Sequence, residues 1–144
     1  AEWTYIVGKT LKDTKGKPHT VPLSSQAVKL IETLIPFKTS SNYVFYSDIS
    51  DSGYISDTAI SNHLRGCGVS KEDTSLHGFR ASARTIGDEV LEIRPDVLEV
   101  GLSHKKPTDR HGGASTRGEF IKQRKIAMQQ WADYCDELKN GAAV

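Results

Sequence analysis

The run Ser75-Leu76-His77-Gly78-Phe79-Arg80-Ala81-Ser82-Ala83-Arg84-Thr85 constrains this chain more than any other stretch. Phe79, Ala83, Ile86 and Val90 recur at helical spacing, which predicts a helix with that face packed into a core. Thr74 and Ser75 offer side-chain oxygens to cap its start. His77 and Arg80, three residues apart, are then neighbours in the first turn, beside the positive end of the helix dipole. An imidazole, a guanidinium and a helix N-terminus together suit a phosphate. Alone, such a pair belongs more often to a capped helix that bonds its own backbone, so its weight depends on what accompanies it.

Upstream, Glu2-Trp3-Thr4-Tyr5-Ile6-Val7 and His19-Thr20-Val21-Pro22-Leu23 have strand chemistry and flank the polar run Lys12 to Pro18, predicting a β-hairpin with a lysine-rich tip. A chain that opens on a bare strand is expected to begin inside a larger protein. Ser24 or Ser25 caps a helix with Ala27, Leu30, Ile31 and Leu34 on its apolar face, and Pro36 ends it. Tyr43-Val44-Phe45 reads as a short buried segment. Ser56 caps the next helix, with Ile60 and Leu64 inward, His63 structural, and Gly66 and Gly68 at its end. Past the central helix, Arg94-Pro95-Asp96 opens a short helix that leads to Ser103-His104. The segment from Lys105 to Ser115 is basic and aperiodic, which predicts a loop. Phe120, Ile121, Arg124, Met128, Trp131, Cys135 and Leu138 then mark one long amphipathic helix, followed by a frayed tail from Gly141.

These elements predict a mainly α fold with a small β-hairpin or sheet, in the α+β class. The 144 residues suit one domain: a hairpin over 1–23, a helical body over 24–138 and a tail over 139–144. With 37% hydrophobic and 26% charged residues the composition is that of a soluble globular protein. No apolar run approaches the ~20 residues of a membrane span, and no signal-peptide pattern opens the chain, so no membrane partner is expected. Cys67 and Cys135 lack metal-ligand spacing and suit a reducing cytoplasmic setting. His77, His104 and His111 offer no ligand pair four apart on one helix, so no metal is expected. A net charge of +1 conceals basic clusters: Lys9, Lys12, Lys15 and Lys17 early, and Lys105, Lys106, Arg110, Arg117, Lys122, Arg124 and Lys125 late. A basic working face on a near-neutral body is compatible with nucleic acid.

The succession of a hairpin lysine, His77-Gly78-Phe79-Arg80, Leu102-Ser103-His104 and a final helix bearing Gln129-Gln130-Trp131-Ala132-Asp133-Tyr134 resembles the catalytic domain of tyrosine recombinases. The likeness is to phage and genomic-island integrases, is reinforced by Val21-Pro22-Leu23-Ser24, and runs from about Trp3 to Asp136. It implies the DNA breaking-rejoining fold and site-specific integration or excision of a mobile element. In that chemistry a tyrosine takes the scissile phosphate as a 3′-phosphotyrosine and releases a 5′-hydroxyl, with neither metal nor other cofactor. The resemblance makes Arg80 a clamp on the non-bridging oxygens, and His77 and His104 hydrogen-bond or proton partners of the same phosphate. A hairpin lysine protonates the leaving oxygen. Lys12 fits best by distance from Trp3 and by strand parity, with Lys15 the alternative. Lys15, Lys105, Lys106, Arg110 and Arg117 would hold backbone phosphates of double-stranded attachment sites. The family works as tetramers on paired sites, here in the bacterial cytoplasm at the nucleoid.

Two departures qualify this picture. The family's first arginine and its DNA-embracing N-terminal domain are expected upstream of this chain. Aligned back from Trp131, the family's Ala-Tyr-Asn-Arg reads Ala114-Ser115-Thr116-Arg117, so Ser115 stands at the nucleophile position. A serine hydroxyl is shorter and ionises far less readily than a phenol of pKa ~10. Tyr134 lies roughly five helical turns further on and reads as structural. The chain as it stands is therefore expected not to cleave DNA. A non-catalytic DNA-binding module on the same fold is the alternative.

Overall fold

A computed structural model describes residues 1–6, 18–37, 42–103 and 120–141. Its elements are strands β1 (Glu2–Ile6) and β2 (Pro18–Pro22), then helices α1 (Ser25–Glu32), α2 (Asp57–Gly66), α3 (Leu76–Glu89), α4 (Pro95–Gly101) and α5 (Ile121–Lys139), with a 3-10 turn at Ile35–Phe37. This is the mainly helical α+β class expected. No helix among the described residues is long and apolar enough to cross a membrane. The chain divides into two compact units, Ala1–Val28 with Arg84–Val144, and Lys29–Ala83.

In the first unit β1 and β2 pair antiparallel, with Trp3 opposite Val21 and Tyr5 opposite His19. The strands agree with the expected hairpin; its lysine-bearing tip lies outside the described residues. Alternation puts Trp3 and Tyr5 on one face, where their rings stack 4.8 Å apart, and Tyr5 meets His19 edge-on at 5.5 Å. Ser24 caps α1, accepting a hydrogen bond from the Ala27 N–H at 3.2 Å. Gln26 and Gln129 both donate to Asp133, at 2.8 Å each, joining α1's first turn to α5. Those two amides, Gln26 first, hold the Asp133 carboxyl below its usual range.

The core of this unit is Ile93, Val97 and Ala127, with Leu91, Leu98 and Phe120 packed against it. Pro95 occupies the first turn of α4, where the missing N–H costs nothing. Gly87 lets α3 approach α4, since a Cβ there would lie 2.9 Å from Leu98 Cδ2. Along α5 the buried residues are Arg124, Ala127 and Tyr134. Cys135 and Leu138, expected on that inward face, are exposed. The inward stripe runs Phe120, Arg124, Ala127, Trp131 and Tyr134, alternating steps of four and three, and Cys135 falls one residue off it.

The second unit departs further from the apolar pattern. Phe79 is 50% exposed, and Leu30 is more exposed still. Gly87 is the single residue of α3 that is buried outright, so the face from Phe79 to Val90 does not pack inward along its length. Tyr43-Val44-Phe45, expected to be buried, is exposed as well. Its segment bridges at Tyr46 to Tyr54 across a turn closed by Gly53 at φ 74°. With Leu34, Phe37 and Ile55, Val44 and Phe45 line an open apolar hollow instead of a filled core. The helix caps behave as expected: Ser56 accepts from the Ala59 N–H at 3.1 Å, and α2 ends at Gly66, followed two residues on by Gly68 at φ 87°.

Candidate functional site

His77 and Arg80 occupy the first turn of α3, and both are exposed. Ser75 caps that turn: its Oγ accepts from the Gly78 N–H at 3.1 Å, and its carbonyl accepts from Phe79 at 3.2 Å. Glycine between His77 and Phe79 has a steric reason. A Cβ at Gly78 would run into Thr74 Oγ1.

The segment leading into this turn is held by Arg65, near the end of α2. Its guanidinium donates to the carbonyls of Val69 at 2.7 Å, of Thr74 at 2.8 Å, and of Ser70. Within the same turn the Ser70 N–H donates to Asp73 at 2.8 Å, and the Asp73 N–H donates to Ser70 Oγ at 3.2 Å. The Ser70 backbone holds the Asp73 carboxyl below the usual carboxylate range, with the Ser70 hydroxyl adding to the effect. Arg65 therefore fixes the backbone from which His77 and Arg80 project. Sequence reasoning passed over it, because a half-buried arginine on a polar helix face carries no periodic signal.

Of the residues expected at the site, His77 and Arg80 are brought together on one turn. Lys12, Lys15, His104, Lys105, Lys106, Arg110, Ser115 and Arg117 lie outside the described residues. Among the described residues no group of His, Cys, Asp and Glu side chains is arranged to hold a metal ion.

The elements flanking those positions are described, and they converge on a second arginine. Arg124, on α5, is 3% exposed and His19, on β2, is 5% exposed. The Arg124 guanidinium donates to the Thr20 carbonyl at 2.5 Å and lies 3.4 Å from His19 Nε2. That same ring nitrogen is 3.3 Å from the Gly101 carbonyl oxygen at the end of α4. It serves one neighbour at a time, donating to Gly101 when it carries the proton and accepting from Arg124 when the proton is on Nδ1. Arg124 makes no ion pair among the described residues, and its Nε is buried without a hydrogen-bond partner. Burial pushes the guanidinium pKa down. An orphaned donor of this kind costs about 1–3 kcal/mol.

This burial corrects the placing of Arg124 in the late basic cluster: it belongs to the interior and is not part of a DNA-facing surface. The signal was present in the sequence. A cation interrupts the otherwise apolar stripe from Phe120 to Tyr134. Backbone strain marks the same region. Ser103 has φ 59° and Phe120 has φ 64°, left-handed values that cost a non-glycine residue roughly 1–2 kcal/mol each.

No family model matches the chain, and no solved structure matches it. Curated relatives do. The chain is 31% identical to the integrase of Enterobacteria phage P4 over 123 residues, covering 85% of this chain and 28% of that protein. It is 33% identical to prophage integrase IntZ of Escherichia coli K12, covering 87% and 30%. To the integrase of Shigella phage Sf6 it is 32% identical, covering 84% and 31%. Over most of its own length the chain is similar to phage and prophage integrases, and it spans about three tenths of the length of these relatives.

Proposed function

We propose that the chain is the catalytic-domain segment of a tyrosine recombinase, built on the DNA breaking-rejoining fold, whose ancestral reaction inserts and excises a mobile element. The observation that carries this reading is the exposed His77–Arg80 pair on a capped helix start, in a chain similar to phage integrases. Arg80 grips the two non-bridging oxygens of the scissile phosphate and stabilises the charge that grows on them. His77 donates a hydrogen bond to the same group, seconded by the positive end of the α3 dipole. Lys12, or Lys15 in its place, protonates the leaving 5′-oxygen, and His104 completes the set. Lys105, Lys106, Arg110 and Arg117 hold backbone phosphates of the duplex, which makes binding salt-dependent. The assembly that acts is a tetramer on paired sites.

Ser115 stands where the nucleophilic tyrosine belongs, so the chain as it stands is inactive in strand cleavage. Phosphotyrosine has a competent leaving group for the rejoining step, and an alkyl phosphate does not. Ser115 is also the specific observation that favours the second reading, a DNA-binding module that occupies a site without cutting it.

Trapping on a nicked duplex that carries the element's own junction separates these readings. The full-length protein is compared with its Ser115→Tyr variant, and covalent adducts are scored as shifted bands on a denaturing gel. An adduct with Ser115→Tyr alone supports the inactive recombinase. An adduct with Ser115 in place refutes the assignment of the nucleophile. Salt-dependent binding with no adduct from either form favours the binding module.

A further inference from the structure

We infer that Arg124 and His19 form a positioning clamp for strand cleavage, setting the two ends of the segment that carries His104 and Ser115 against the strand that follows the hairpin lysines. The inference rests on the recombinase reading for its catalytic consequence and on geometry alone for the clamp. Three elements meet at one buried guanidinium–imidazole pair. Strand β2 contributes the Thr20 carbonyl and His19, α4 contributes the Gly101 carbonyl of its last turn, and α5 contributes Arg124 itself. In sequence each element adjoins a proposed catalytic position. β2 follows Lys12 and Lys15, α4 ends just before His104, and α5 begins just after Ser115.

Both junctions are strained in the same sense. The chain leaves α4 through Ser103 at φ 59° and joins α5 through Phe120 at φ 64°. Non-glycine residues keep left-handed backbone where surrounding contacts over-determine it. One such contact is present at the end of α4, where Gly101 is met by His19, and Arg124 stands one helical turn past Phe120 at the start of α5. A buried guanidinium with an orphaned Nε and no carboxylate partner among the described residues is a poor way to stabilise a fold, because a well-packed apolar side chain of similar volume would do as well. What the apolar side chain cannot do is hold Thr20 and His19 in fixed directions at once.

The test uses the full-length protein carrying Ser115→Tyr, with Arg124→Met as the main variant and His19→Gln as the conservative one. Hydrogen exchange of residues 100–103 and 120–124 is read beside cleavage of the nicked duplex and its dependence on DNA concentration. In Arg124→Met, exchange at both junctions rises by roughly tenfold or more while strands β1 and β2 keep their protection. Cleavage falls by about tenfold or more at saturating DNA. The half-saturating DNA concentration stays within about twofold. His19→Gln, whose amide can still donate to Gly101, keeps the junctions protected and recovers most of the cleavage rate.

Unchanged exchange at both junctions in a folded Arg124→Met protein overturns the clamp. So does a loss of cleavage matched by an equal loss of affinity, or by exchange rising across the whole unit. Should Arg124→Met not fold, Arg124→Lys takes its place: it keeps the charge, lacks the planar fork, and should give the same split. If neither variant folds, the guanidinium is a stability element and the proposal fails. If the Ser115→Tyr parent itself makes no adduct, the recombinase reading fails, and the exchange data alone decide the clamp.

Discussion

Two arginines hold backbone in the two units of this chain, and they do so on opposite terms. Arg65 is half-buried at the end of α2 and places its guanidinium on three carbonyls of the segment before α3. Arg124 is almost fully buried and, among the described residues, reaches one carbonyl and one imidazole and leaves its Nε without a partner. The first keeps part of its hydration and gains three charge-assisted hydrogen bonds, so it contributes to stability. The second loses nearly all its hydration and recovers little of the cost. An arginine satisfied near the surface holds a loop cheaply. A buried, under-satisfied one is retained for geometry, and strain at Ser103 and Phe120 lies beside it.

The largest effect should come from removing the group that the Arg65 segment delivers. Where the Ser115→Tyr variant forms the adduct proposed above, adding Arg80→Ala is expected to slow its formation by about 10²–10³-fold. Because Arg80 is exposed, the thermal midpoint should hardly move, and a folding defect in its place would show that Arg80 serves the structure.

Next in size is the direct contrast between the two arginines. Arg65→Met deprives three carbonyls of a charged donor and should destabilise the protein by about 1.5–3 kcal/mol. Arg124→Met removes an orphaned buried cation and should change stability by no more than about 1 kcal/mol in either direction. Urea titration of both variants compares them on one scale. Equal losses would erase the distinction drawn above.

A smaller effect is expected from acid. The Ser70 N–H depresses the Asp73 pKa in the folded chain, so Asp73 stabilises its turn fully above the unfolded value of about 3.9. That contribution is lost as pH falls through the lower, folded value. Exchange of residues 70–75 should therefore quicken relative to α5 below about pH 4. In Asp73→Ala the acid-induced increment should disappear, with fast exchange already present at neutral pH.

The smallest change concerns the proposed backbone-phosphate contacts. Single substitutions Lys105→Ala or Arg110→Ala should each lower the slope of log binding constant against log salt by about 0.9, without altering sequence preference. A slope that stays put would mean that the residue touches no phosphate.

Local structure was legible wherever it depends on neighbours in sequence. The cap at Ser56 was legible, and those at Ser24 and Ser75 were each among two adjacent candidates, because capping is satisfied within a single turn. The same holds for Pro95 at the start of α4 and for the antiparallel strands at the N-terminal end. Burial was less legible, because periodicity names a face without saying what covers it. Phe79 and Tyr43-Val44-Phe45 have the chemistry of a core and remain exposed. In α5 the phase of the stripe slipped by one residue near its end, where Tyr134 is buried and Cys135 is not.

Sequence by itself determined the likeness to phage integrases, the order of the elements, and the pairing of His77 with Arg80 on one turn. Each of these depends on residue identity and near-neighbour spacing, which a linear reading preserves. Only the tertiary structure decided that Arg124 turns inward to Thr20 and His19 and that Arg65 holds the approach to α3. Those facts depend on which carbonyls and side chains arrive from elsewhere in space. A guanidinium reads as the same positive charge in the sequence whether it faces water or a buried imidazole.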